Sequence, residues 1–218
     1  MSEPSSVATS GTNDRRRQRG AKSRQKVLEH AAAIASVDGL EGLTIGRLAA
    51  EAGVGKGNIQ VLFGDKEALQ LATIDWVSSV YTAAIAGPAM AEETSPFARL
   101  RAMVGRWFDF VERRELPGGC FMNAVSSEFR ARPGRIRDRL SKQRAEKRDR
   151  YIAALRSASE AGEIDPDVDA EQVAFELLAF QALANVAVTI GDDQEFERAR
   201  RTSFDRLEAL QSGRGKNA

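Results

Sequence analysis

From Arg24 onward, apolar side chains recur at the spacing of one buried helix face, at Val27, Leu28, Ala31, Ile34, Ala35 and Val37. Gly39 and Gly42 end that helix. Thr44 is a capping residue and opens a second helix with the inner face Ile45, Leu48, Ala49 and Ala52. Gly53 closes it, and a short third helix is predicted over residues 55–62. Gly64 breaks the chain again, and Asp65 is placed to cap a fourth helix over residues 66–85. Past Pro88 and Pro96 the pattern stays helical. Phe97, Leu100, Val104, Trp107, Phe108 and Val111 line one face, and Pro117, Gly118 and Gly119 end that segment. A short apolar helix (120–129), a long charged one (135–161) and two final helices (169–190 and 194–210) complete the pattern. No alternation marks a strand and no repeat is present, so the chain reads as all-α with about nine helices. Residues 1–21 read as a disordered basic arm, 22–66 as a three-helix unit, 67–212 as a larger helical body and 213–218 as a disordered tail.

The stretch GVGKG, residues 53–57, has two readings. A phosphate-cradling loop needs a strand before it, a wider glycine spacing and a Ser or Thr after the lysine. The preceding LTIGRLAAEA has helical periodicity and the GxxxxGK spacing is absent, so that reading fails; a dinucleotide fingerprint fails for want of the strand. The other reading is a bend between two helices. Ala49 is small where the helices cross, Gly53 can adopt the positive φ that lets the chain turn, and Val54 plugs the bend. Ile59 and Leu62 face inward, leaving Gly55, Lys56, Gly57, Asn58, Gln60 and Val61 on the outer and N-terminal surface. This is a helix-turn-helix, whose second member enters a DNA major groove and whose open N–H groups suit phosphate. Glycine costs roughly 1 kcal/mol inside a helix, and close approach to a DNA backbone accounts for Gly46 and Gly57. Lys66 stands in the first turn of its helix, where the macrodipole disfavours a cation unless an anion is near. DNA phosphate is the expected anion.

Composition narrows the alternatives. The chain has 218 residues, 42% hydrophobic and 29% charged, enough for a substantial core. The formal net charge is only +1, yet residues 15–26 carry seven Lys or Arg and no acid, beside the bend motif. Such an arm is either a solubilising tail or a nucleic-acid contact. A single cysteine, Cys120, excludes an internal disulfide and suits a reducing compartment. It packs inertly, lines a ligand site or senses redox state; the only histidine, His30, lies in the other domain, so no nucleophile–base pair forms. With one His and one Cys, no metal, cofactor or enzymatic activity is expected. No uninterrupted 18-residue apolar run and no secretory leader occur, so no membrane span is expected. Residues 130–150 hold ten Lys or Arg against three acids; their mixed placement reads mainly as a solvated face, with anionic partners or ion pairs as the other readings.

The segment 27–69, with TIGRLAAEAGVGKGNIQVLFGDKEAL at its centre, resembles the N-terminal domain of TetR-family transcriptional regulators. Glycine, small-residue, aromatic and lysine spacings agree over about 45 residues, and GGCFMNAVSSEFRARPG resembles a segment of one branch of the family. The resemblance implies a three-helix DNA-binding domain joined to a helical ligand-binding and dimerisation domain, acting as a homodimer on double-stranded DNA with a palindromic operator. It implies a cytoplasmic, nucleoid-associated repressor released by a small-molecule effector; an activator of the same fold and a helical interaction scaffold are the alternatives. By the same resemblance Thr44 caps its helix and meets phosphate, Lys56 and Asn58 face the groove or its rim, and Lys66 holds the backbone; Arg24 and Gly55 complete the expected DNA-binding set. Gln60 and Val61 stand where the family usually has Tyr and a polar residue, and Gly55 where it has Ser or Thr, which leaves the operator sequence open.

Residues 169–190 carry two apolar stripes, one through Val173, Leu177, Phe180, Leu183, Ala184 and Ala187, the other through Phe175, Leu178, Val186 and Ile190. Either one stripe serves the subunit and the other a partner, the more economical reading, or the helix is wholly buried inside its own subunit. Leu177, Phe180, Ala184, Phe204 and Leu207 are the expected dimer contacts. Trp76, Trp107, Phe108, Cys120, Phe121, Phe129 and Phe175, with Phe110 and Met122, are the candidate lining of an effector pocket, core filling being the other and commoner reading of each aromatic; Tyr81, Asn123 and Gln181 are the candidate polar contacts.

Overall fold

The structure, a computed structural model, describes residues 10–212, with side-chain surroundings from 18 to 211. Residues 1–9 of the expected arm and the expected tail 213–218 lie outside the described residues. The described chain is all helix and connection. α1 runs Ser10–Gly42 with a break at Gly39, α2 Ile45–Ala52, α3 Lys56–Phe63 and α4 Lys66–Tyr81. A π-helical turn, Thr82–Ala86, joins α4 to α5, Gly87–Glu92. α6 (Pro96–Glu112), α7 (Phe121–Glu128), α8 (Arg135–Glu160), α9 (Ala170–Ile190) and α10 (Asp193–Ser212) follow. If α4 and α5 are counted as one rod, nine helices occupy the described residues.

Two boundaries differ from the sequence reading, each for a local reason. α1 begins at Ser10, so residues 10–21, expected to be without structure, are helical. Arg15, Arg16, Arg17, Gln18 and Lys22 are strong helix formers, and an amphipathic stripe is not needed to extend a helix already anchored downstream. α4 does not stop near 85 but passes Pro88 through the π-turn. The wider turn moves the carbonyls that a proline ring would strike, which lets the helix continue.

The core of the body is built on α6, where Leu100, Val104, Trp107 and Phe108 are buried. α8 packs across α4, α6 and α9, while α9 and α10 pair lengthwise. By length and composition α9 would reach across a bilayer, but one face is packed in the body and carries the buried polar residues Gln181 and Asn185.

Head and body meet at one joint. Gly118 donates its N–H to Ser36 Oγ at 3.0 Å, and a Cβ at Gly118 would come within 1.9 Å of the Ser36 carbonyl oxygen. The Glu128 carboxylate at the end of α7 accepts from the N–H groups of Leu40 (2.8 Å) and Glu41 (2.7 Å) just past the α1 break. Buried Gln70 of α4 donates to the Leu40 carbonyl at 2.7 Å. α7 and α4 therefore both hold Leu40 of the head.

Candidate nucleic-acid interface and interior cavity

The bend is built as local chemistry requires. Thr44 Oγ1 accepts from the Arg47 N–H at 3.2 Å and caps α2. Gly53 adopts φ 66°, ψ 36°, a left-handed conformation that strains a residue bearing Cβ, and the Val54 N–H returns to the Ala49 carbonyl at 3.0 Å. Ala49 is buried at the crossing and Val54 is half-buried in the crevice. Ile59 and Phe63 anchor α3 to the core, while Gly55, Lys56, Gly57, Asn58, Gln60 and Val61 are exposed, Val61 at 87%. No side chain caps α3 at Gly55, so no side-chain acceptor occupies its first N–H groups. Gly46 lies under the Lys56 side chain: a Cβ there would make ordinary contact with Lys56 Cε at 3.6 Å. That contact gives Gly46 a packing neighbour inside the protein, whereas Gly57 faces open space.

Two expected contacts are engaged internally. Lys66 Nζ donates to the Glu41 carbonyl and to its carboxylate, both at 3.1 Å, so the anion near this lysine is in the chain itself. The pairing spans 25 residues and is invisible to the local dipole argument. Arg24 lies with its guanidinium 4.5 Å from the Phe63 ring centre, bracing the end of α3, and its Nη1 is buried without a protein partner.

Within the body a cavity of about 520 Å³ opens between α4, the π-turn, α6, α7, α8 and α9. Of the candidate lining, Trp107, Cys120, Met122 and Phe175 contribute, together with Tyr81 and Asn123. Phe108, Phe110, Phe121 and Phe129 are instead buried core, and Trp76 packs half-buried against that core away from the cavity. Aromatic content cannot distinguish wall from filling. The missed residues include Ile85, Met103, Lys147, Tyr151 and Leu178. Lys147 sits on the stripe Ile136, Leu140, Tyr151, Leu155 and Ala158 that α8 turns inward, so it is not part of the solvated face expected of 130–150. A base on an apolar stripe was the available signal. Its ammonium donates to Gln181 Oε1 at 2.8 Å and lies 5.2 Å from the Trp107 ring centre. Gln181 Nε2 in turn donates to the Tyr151 hydroxyl at 2.8 Å. Burial pushes the Tyr151 hydroxyl up to about 12. Burial, then the neighbouring Cys120, also hold the Tyr81 hydroxyl well above its usual range, and that hydroxyl accepts from the Phe121 N–H at 2.9 Å.

The expected dimer contacts need correction. Leu177, Ala184 and Leu207 are fully buried inside the protomer, and Phe180 and Phe204 are half-buried, Phe204 beneath Arg101. The outward apolar residues of α9 are Phe175, Leu183, Val186 and Ile190. Periodicity finds two stripes but does not say which one faces inward.

A helix-turn-helix head gripped by a helical body with an interior cavity defines a ligand-responsive DNA-binding regulator. Residues 27–73 match the bacterial regulatory proteins of the tetR family, and residues 96–203 match the Tetracyclin repressor-like C-terminal domain. The chain belongs to the TetR family of transcriptional regulators. A TetR regulator from Chloroflexus aurantiacus J-10-FL superposes with TM-score 0.74 at 26% identity, covering 85% of this chain and 94% of that one. One from Streptomyces coelicolor gives 0.73 at 19%, covering 88% and 97%. AibR, solved with isovaleryl coenzyme A and operator DNA, gives 0.63 at 20%, covering 83% and 97%. No curated protein sequence matches the chain. Members of the family are non-catalytic and in general bind DNA as dimers under the control of a small molecule. Among the described residues no group of His, Cys, Asp and Glu is placed to hold a metal.

Proposed function

We propose that the protein is a transcriptional repressor that binds a palindromic operator as a homodimer and leaves it when a small molecule fills the cavity. The observation that carries this reading is α3. Its anchored face, Ile59 and Phe63, is buried, while Lys56, Asn58, Gln60 and Val61 project into solvent beside an uncapped N-terminus. Asn58 and Gln60 suit base edges, Val61 a thymine methyl, and Lys56, Thr44 and the Gly55 end of the helix suit phosphate. Lys66 reaches phosphate only by exchanging Glu41, and Arg24 acts indirectly, through Phe63.

The outward apolar face of α9, with Phe175, Leu183, Val186 and Ile190, supports a two-fold interface of α9 and α10 in place of the buried contacts read from sequence. Release is supported by α7. Its first turn, with Met122 and Asn123, borders the cavity, and its last residue, Glu128, holds Leu40 and Glu41 of the head. A ligand that displaces α7 has to move the head or break those bonds. The AibR complex supports the capacity of this fold to hold an effector and DNA together. The working place of such a protein is the cytoplasm, at the nucleoid. Footprinting on the DNA flanking its own gene, with a reporter behind the protected site, tests the reading. Repression predicts protection and reduced reporter output; increased output indicates an activator, and no protection at low salt overturns DNA binding.

A further inference from the structure

The cavity holds one feature that an apolar effector does not require. Lys147 is a part-buried cation at the inner wall, between Trp107 and Gln181, and among the described residues no carboxylate pairs with it. The acids nearest in sequence are already engaged: Glu146 with Lys142 and Asp149 with Arg148. Three further bases of α8, Arg144, Arg148 and Arg150, border the same cavity; Arg148 pairs with Asp149, and Arg150 donates to the Thr82 hydroxyl at 3.4 Å. Ile85, Met103, Met122 and Leu178 give the wall an apolar stretch, beside the uncharged polar groups of Ser78, Tyr81, Asn123, Gln143 and Tyr151. The volume of about 520 Å³ falls within the range of small-molecule sites.

An ammonium in such a place is costly unless an anion or strong acceptors complete it. Gln181 supplies one acceptor, and its amide is oriented toward Lys147 by its own donation to Tyr151. The lysine is thereby held at a fixed point of the cavity. Burial pushes its ammonium below the usual lysine range, and Arg144 and Arg150 push the same way, against the raising effect of Cys120. A bound anion would reverse that displacement.

We infer that the effector is an amphipathic carboxylate, its apolar body along Trp107, Met103, Met122 and Leu178 and its carboxylate paired with Lys147. The assignment deepens the ligand-responsive reading above and names the chemistry of its ligand. Arg144 and Arg150 draw the anion in from the mouth, and Lys147 fixes its head. A bound ligand would then lie against the first turn of α7.

Direct binding to the full chain without DNA tests this, so failure here leaves the DNA-binding reading standing and the reverse holds too. The probes are dodecanoate against dodecanol, and 2-naphthoate against 2-naphthol, followed by tryptophan fluorescence and calorimetry. Each acid is expected to bind about ten- to a hundred-fold more tightly than its neutral partner, the range of a charge-assisted hydrogen bond. Lys147→Met should bring the acid-to-alcohol ratio close to one while keeping the alcohols bound, and Lys147→Arg should restore much of the preference. The alcohol serves as the internal check that the variant cavity is intact. Equal affinity of acid and alcohol for the wild-type chain, no binding of either acid, or an unchanged ratio in Lys147→Met would overturn the assignment.

Discussion

Replacing Glu128 with alanine should loosen the head from the body without touching either candidate ligand surface. The Glu128 carboxylate accepts two backbone N–H groups, at 2.8 Å from Leu40 and 2.7 Å from Glu41. Leu40 is fully buried, so water does not readily replace its lost acceptor, and an orphaned buried donor costs about 1–3 kcal/mol. Glu41 is exposed and its N–H can turn to solvent, which holds that loss to roughly 0.5–1 kcal/mol. The sum is about 1.5–4 kcal/mol. For a chain of this size each kcal/mol moves Tm by roughly 2–4 °C, which gives a fall of about 3–16 °C. Removing the neighbouring Arg132–Glu41 ion pair by Arg132→Ala should lower Tm by less than about 3 °C, since both partners are solvent-exposed. Calorimetry measures both variants, and amide hydrogen exchange locates the change. Protection should be lost at Leu40 and Glu41 in Glu128→Ala and kept across α9 and α10. An unchanged Tm with full protection at Leu40 would refute the assignment of Glu128 as the clasp.

Other outcomes follow from the same geometry. Gly53→Ala forces Cβ into a left-handed backbone at φ 66° and should destabilise the chain by about 1–2 kcal/mol in urea unfolding, more than Gly55→Ala at its extended position. Ile190→Asp with Val186→Glu places charge on the outward face of α9, and sedimentation should show monomers in place of dimers; an intact dimer would put the interface elsewhere. Lys56→Ala should weaken binding to all duplexes alike and reduce the slope of log K against log salt by about 1. Asn58→Ala should instead relax discrimination at one base pair by about 1–3 kcal/mol, as read by titrating single-mismatch operators.

The head was legible because its signals are local. Thr44 and Asp65 cap the helices they precede, and Gly53 occupies the one left-handed position the bend requires. Contacts that join distant parts of the chain were not legible. Lys66 is electrostatically unusual in its own turn, but its counter-ion, Glu41, lies 25 residues earlier at the end of α1. The α7 clasp joins residues 88 positions apart, and Glu128 carries no pattern that announces it. In α9 both stripes are apolar, so the inward choice of Leu177 and Ala184 over Phe175 and Val186 depends on how α6, α8 and α10 pack around it. Lys147 was concealed by its neighbours: in a run of ten bases its one distinction is the angle at which it leaves α8.

The central claim is that an outward helix, presented twice by a symmetric dimer, reads DNA sequence. Selection of binding sites from random duplex DNA with the full chain measures this directly. Enrichment of an inverted repeat is expected, with half-site centres about 10–10.5 base pairs, or a multiple, apart. Recovery of sequences with no shared motif at low salt, or of a single unrepeated half-site, would contradict it.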